Sequence, residues 1–191
     1  KNSYFCRMFK NLAFILLAFI TIGCTDDVKP KPKGELRLEY PQPKYLPFNN
    51  NCAYTFEYSD FAKIYDAKKA CWYNLAYPKM KANVFITYFP VNNDFDLHVK
   101  EVEKMVYGHT IKASAIETKS FSYPENKVYG NLYELKGESA SNIQIFVTDS
   151  TKHFVTANLY FNTRPKPDSL APAVHYIKQD LMHMIETFRW K

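Results

Sequence analysis

Several side chains in this 191-residue chain are of types that do chemistry, and their spacing decides what each group could do. Asp149-Ser150-Thr151-Lys152-His153 brings an acid, two hydroxyls and an imidazole into five residues. A hydrolytic triad needs a nucleophile, a base and an orienting acid in contact, normally supplied by distant segments. Asp-Ser-Thr between two strands is ordinary turn chemistry, so a turn is expected and no catalytic residue is assigned. His175 and His183 stand eight apart with Glu186 three further on. Helical metal ligands favour spacings of three or four; His183 and Glu186 could share a face, but two ligands on an exposed face make no site, so these are read as surface residues. His98 and His109 bracket a candidate helix without a partner pattern; His109 at its C-terminus would complement the helix dipole. There is no phosphate loop, no G-x-S-x-G and no H-E-x-x-H, and five glycines leave little room for a nucleotide-binding loop. No cofactor and no metal site follow.

Of the four cysteines, Cys24 has the clearest context. Leu12 to Ile22 is an uncharged apolar run, preceded by Arg7 and Lys10 and followed by Thr21-Ile22-Gly23-Cys24. The run is shorter than the roughly 20 residues of a spanning helix and suits a signal peptide. A small residue before Cys at the end of such a run is the lipobox pattern of bacterial lipoproteins; Thr21 stands where Leu is commoner. Residues 1–23 are expected to be cleaved, with Met8 as a plausible initiator. Cys24 would become the lipidated first residue, carrying a diacylglyceryl group and an acyl chain such as palmitate, enough for stable anchoring. Cys6 leaves with the signal, and Cys52 and Cys71 remain. An exported pair in an oxidising compartment is expected to form a disulfide, worth about 3 kcal/mol in the chain-entropy model. A redox pair would favour Cys-x-x-Cys, and zinc would need two more ligands.

The bulk composition sets the class. The formal charge is +6, but Lys1, Arg7 and Lys10 belong to the signal, so the mature chain holds 22 basic against 19 acidic side chains. These are interspersed, which argues against nucleic acid as a partner. Aromatics reach 17%, with 15 Tyr and 15 Phe, a composition suited to sheets and incompatible with disorder. Residues 24–44 alternate proline with charge and read as an extended tether of roughly 60 Å. Glu35 to Tyr40 alternates like a strand that could dock on the domain edge.

Residues 45–191 read as one domain that must position everything else. Strands are expected at Thr55–Tyr58, Trp72–Tyr77 and Val84–Phe89, the last closed by Pro90. A helix follows, capped by Asn93, with Phe95, Val99, Val102 and Val106 on one stripe and Gly108 as a left-handed stop. Four meandering strands come next: Ile111–Phe121, Val128–Leu135, Asn142–Thr148 and His153–Phe161, with a turn at Lys136–Ser139. The last helix is capped by Asp168 or Ser169, with Pro172 in its first turn. It carries a stripe of Leu170, Val174, Ile177, Leu181, Ile185 and Phe188, with Lys178, Asp180 and Glu186 opposite. The fold class is α+β, an antiparallel β-sheet packed against two helices; the element order resembles the PsbP/Mog1-like sandwich. Tyr129, Tyr133, Phe146 and Tyr160 fall opposite the aliphatic positions of their strands. Core packing under a helix is the expectation, an exposed partner or glycan surface the alternative.

Many short motifs occur in order. The lipobox leads to Lys29-Pro30-Lys31-Pro32-Lys33-Gly34. Cys52-Ala-Tyr-Thr-Phe-Glu-Tyr58 precedes Cys71-Trp72. His109-Thr110-Ile111-Lys112-Ala113 precedes Lys127-Val128-Tyr129-Gly130. Thr148 to Phe154, Asp168-Ser169-Leu170-Ala171-Pro172 and Ile185-Glu186-Thr187-Phe188-Arg189-Trp190 complete the set. Together they resemble the gliding-motility lipoprotein D (GldD) family of the Bacteroidota over essentially the whole chain; Ala53 stands where that pattern has Pro. The resemblance implies a cell-envelope lipoprotein of the gliding and type IX secretion machinery and brings no catalytic residues. The expectation is a non-enzymatic accessory or assembly factor, periplasm-facing, anchored by lipid to the outer membrane and in contact with other gliding and secretion proteins. The alternative is a module binding peptidoglycan or another envelope glycan.

Overall fold

The computed structural model describes residues 40–108, 113–164 and 166–191. The signal peptide, Cys24 and the tether up to residue 39 lie outside the described residues, as does His109. Strands β1 to β6 are Tyr45–Pro47, Tyr54–Thr55, Glu57–Ser59, Lys63–Asp66, Tyr73–Tyr77 and Ala82–Pro90. Helix α1 spans Phe95–Gly108. Strands β7 to β10 are Ala113–Tyr123, Val128–Gly137, Ser141–Thr148 and His153–Phe161. Helix α2 spans Pro167–Glu186, and β11 is Arg189–Trp190.

The frame is a seven-stranded sheet in the order β4-β5-β6-β10-β9-β8-β7, every neighbour antiparallel. The expected meander is its β7 to β10 half. β6 joins it through a full ladder with β10, from His153 opposite Pro90 to Phe161 opposite Ala82. β4 has no alternating signal in sequence; as an edge strand it is held by backbone pairing to β5. β1 with β3 and β2 with β11 form two further two-stranded pairs.

Strand alternation puts Val84, Ile86, Ile143, Ile145, Val147, Val155, Ala157 and Leu159 on one face. Ile177, Leu181, Met184 and Ile185 of α2 pack there, with Phe56 and Phe188. A smaller core lies on the other face, where Val102 and Val106 of α1 cover Tyr133, Leu135, Phe146 and Phe154. The two helices therefore pack on opposite faces of one sheet, an α+β architecture. Each fully buried side chain of this size contributes roughly 1.5–3 kcal/mol.

Several local expectations are corrected. α1 starts at Phe95, one residue after Asp94, whose carboxylate accepts the amide of Asn92 at 2.7 Å. Asn93 is instead a left-handed residue at φ 62° and not the cap. Gly108 closes the helix without a left-handed φ. The hairpin turn comes later than Lys136, because β8 continues through Gly137, left-handed at φ 100°. α2 starts at Pro167, where a preset φ and a missing amide suit the first helical position. Asp168 thus lies in the first turn and Pro172 in the second. The helix ends at Glu186, yet Phe188 is 1% exposed and stacks on Tyr54 at 5.6 Å.

Asp180 is the largest correction. Helical periodicity placed it on the solvent face, but it is only 3% exposed. The β1–β3 pair wraps this flank of α2, and the Tyr45 hydroxyl donates to Asp180 Oδ1 at 3.0 Å. The wrapping begins inside the segment read as tether: Tyr40 packs on Tyr176 at 5.1 Å, and the Tyr176 hydroxyl donates to the Pro41 carbonyl at 3.1 Å.

Candidate functional site

The Asp149–His153 segment is a turn held by its own acid. Asp149 Oδ1 accepts the amides of Thr151, Lys152 and His153 at 3.0, 2.8 and 2.9 Å. Burial opposes ionisation of this carboxyl, but those amides outweigh it and hold it below the usual carboxylate range. Ser150 is left-handed at φ 67°, and its amide donates to Thr148 Oγ1 at 2.9 Å. The His153 ring turns elsewhere: Nδ1 meets the Tyr88 hydroxyl at 2.8 Å, and the ring stacks on Trp190 at 5.2 Å. The acid bonds the backbone of His153 and the imidazole bonds a tyrosine, so the three groups are not arranged as nucleophile, base and orienter.

The helical histidines are also separated by function. His183 Nε2 bonds Glu57 Oε2 at 2.7 Å, and its ring lies flat on Tyr45 at 3.6 Å. His175 Nε2 bonds Gln179 at 3.1 Å. His98 packs against Phe89 and Phe154 and lies 3.6 Å from Asp94. Among the described residues no three His, Cys, Asp or Glu side chains are grouped to hold a metal.

Beside His183 sits the buried carboxyl of Asp180. Burial raises its pKa, opposed by the hydroxyls of Tyr45, Tyr77 and Ser59 and by His183. Tyr45 and Tyr77 are raised in turn, first by burial and then by the Asp180 charge. The cluster joins β1, β3, β5 and α2 through the Tyr45–Asp180 hydrogen bond, while Asp180 Oδ2 and the Tyr77 hydroxyl are buried without a partner.

Cys52 and Cys71 are bonded to each other across a Cα separation of 5.5 Å. The bridge ties the chain before β2 to the start of β5. Cys71 is left-handed at φ 62°, and its carbonyl accepts the Tyr54 hydroxyl at 2.8 Å.

A concave feature lies on the α1 face of the sheet. Strand register sets Phe85, Asn158, Gln144 and Tyr133 side by side across β6, β10, β9 and β8. The next rung is Thr87, Thr156, Phe146 and Asn131. α1 covers the β8–β9 end of these rungs. Over β6 and β10 it leaves a trough of about 660 Å³, walled by Met105, Glu101 and Lys104 of α1 and by Trp72. The four alternate-face aromatics are thus divided: Tyr133 and Phe146 are buried under α1, while Tyr129 and Tyr160 stay half-buried. Sequence reasoning passed over Phe85, Thr87, Thr156, Asn158 and Gln144. The available signal was polar side chains at alternate positions of central strands, indistinguishable in sequence from an ordinary wet sheet face.

The geometry defines an α+β domain with a partly covered sheet face, in which Asp149 bonds backbone amides of its own turn and His153 bonds Tyr88. Residues 25–190 match the family model described as gliding motility lipoprotein GldD, and the chain belongs to that family. It is accordingly an envelope lipoprotein associated with gliding motility. No curated protein matches it in sequence. Among the described residues no helix is long and apolar enough to cross a membrane.

Proposed function

We propose that this protein is a lipid-anchored accessory factor of the gliding apparatus and its associated type IX secretion machinery. It acts by contact with other envelope proteins and not by turnover. The family match over residues 25–190 carries this reading, because it spans the tether and the whole domain together. The engagement of Asp149 with three backbone amides supports a role without catalysis. Lipid on Cys24 would hold the domain at the outer membrane of a Bacteroidota cell, on the periplasmic side. α1 offers contact surface through Leu97, 60% exposed, and Met105, 44% exposed.

The test is in-cell photo-crosslinking of the full-length lipidated protein from position 97, followed by mass spectrometry. Reproducible capture of gliding or secretion components is the expected result. Motility and secretion that persist unchanged after deletion of the gene would overturn the reading. In the same strain Cys24→Ala should release the protein from the membrane fraction, and continued sedimentation would place the anchor elsewhere.

A further inference from the structure

We infer that the trough on the α1 face is a binding site for a neutral glycan chain. Central strands usually face a packed layer with apolar side chains, since buried polar groups need partners. Here β9 and β10, in the middle of seven strands, oppose Gln144 and Asn158 on that face. Gln144 is 0% exposed, and neither its side-chain nitrogen nor its oxygen has a hydrogen-bond partner. Asn158 beside it is itself buried and lines the trough together with Thr87 and Thr156. Gln144 lies next to the trough but outside its lining, so the polar floor is Thr87, Thr156 and Asn158, which offer donors and acceptors and carry no charge.

Aromatic rings flank this row. Phe85 is 44% exposed, with Tyr160 edge-on at 5.7 Å. Phe89 closes the other end against Trp72 at 5.8 Å. Trp72 is held in place by its indole N–H, which donates to the Tyr88 carbonyl at 2.9 Å. Phe85 and Phe89 are four residues apart on one face of a strand, roughly 13 Å, a span that accommodates a few pyranose rings.

An uncharged donor-and-acceptor floor between the exposed Phe85 and the half-buried Phe89 and Trp72 suits a ligand that stacks by its C–H faces and bonds by its hydroxyls. A wholly apolar partner would cover the Asn158 amide and the hydroxyls of Thr87 and Thr156 without pairing them. A highly charged one would find single charges of each sign, Glu101 and Lys104, on the α1 wall. A neutral carbohydrate meets all three constraints.

The experiment is calorimetric titration of the detergent-solubilised full-length protein with chitotetraose and, separately, maltotetraose, paired with pelleting on purified sacculi. Saturable binding is expected for at least one of these probes, weakened roughly tenfold by Phe85→Ala. Asn158→Leu should lose binding further, and Tyr65→Ala, on the exposed edge strand β4 outside the trough, should leave it unchanged. The two tetrasaccharides separate a β-linked amino-sugar chain from an α-glucan, and a variant counts only if its melting temperature matches wild type. Absence of binding to all three probes, or binding that both trough variants leave intact, overturns the inference. Protein capture from position 97 reads out separately, so failure here and failure of the accessory role are distinguishable.

Discussion

Removing the cross-link between Cys52 and Cys71 should cost stability in proportion to the loop it closes. The two residues are 19 apart in sequence. Closing a loop of that size removes about 3 kcal/mol of unfolded-chain entropy. The double variant Cys52→Ala/Cys71→Ala avoids stray thiols and keeps most contacts, because Phe56, Ser59 and Ala62 inside the loop remain buried. With a urea dependence of about 2 kcal/mol per M, the unfolding midpoint should fall by roughly 1.5 M. The melting temperature should fall by roughly 6–12 °C for a domain of this size. Hydrogen exchange adds a spatial check: the amides of β2 and β3 should exchange faster, while those of β8 to β10 change less. A loss below about 1 kcal/mol would refute the reasoning. The β1–β3 pair and the Tyr54 bond to Cys71 would then constrain the unfolded or native segment as tightly as the sulfur bridge does.

Two further outcomes follow from local geometry. A Cβ on Gly130 would lie 1.9 Å from the Phe146 carbonyl oxygen and 2.7 Å from Phe121 Cζ. Gly130→Ala must therefore open the β8–β9 pairing, and a loss of about 3 kcal/mol or more is expected; a wild-type melting temperature would contradict it. The Asp180 carboxyl titrates above its ordinary 3.8 because burial disfavours the charge. Below 3.8 both folded and unfolded states hold the proton, and the penalty grows as pH rises through the raised native value. Relative to Asp180→Asn, whose amide oxygen can still accept from Tyr45, the wild type should lose stability across that rise. Thermal melts of both proteins from acid to neutral pH check this, and a wild type that gains on the variant as pH rises would refute it.

Much of the frame was legible because it is local. Ile143, Ile145 and Val147, and Val155, Ala157 and Leu159, alternate as a half-buried strand must, and they line the larger core. The Leu170 to Ile185 stripe required a helix against a sheet. Boundaries were less legible, since the left-handed turn at Asn93 before α1 and the start of α2 at Pro167 turn on geometry that neighbouring residues of similar type could equally supply. β4 and β11 are too short for a periodic signal, and each is held by a strand elsewhere in the chain.

The amino-acid sequence by itself determined the two alternating face patterns, the α+β class and the reading of Asp149–His153 as a turn, and it alone carries the lipobox pattern before Cys24. These depend on periodicity and on short-range chemistry. Only the tertiary structure decided that β6 pairs with β10, that the helices take opposite faces and that Asp180 is enclosed by Tyr45. It likewise decided that Gln144, Asn158 and Phe85 stand in one row beside an open trough. Each of these rests on contacts between residues far apart in the chain. A periodic pattern tells which side of an element is apolar, but not which distant element will cover the other side.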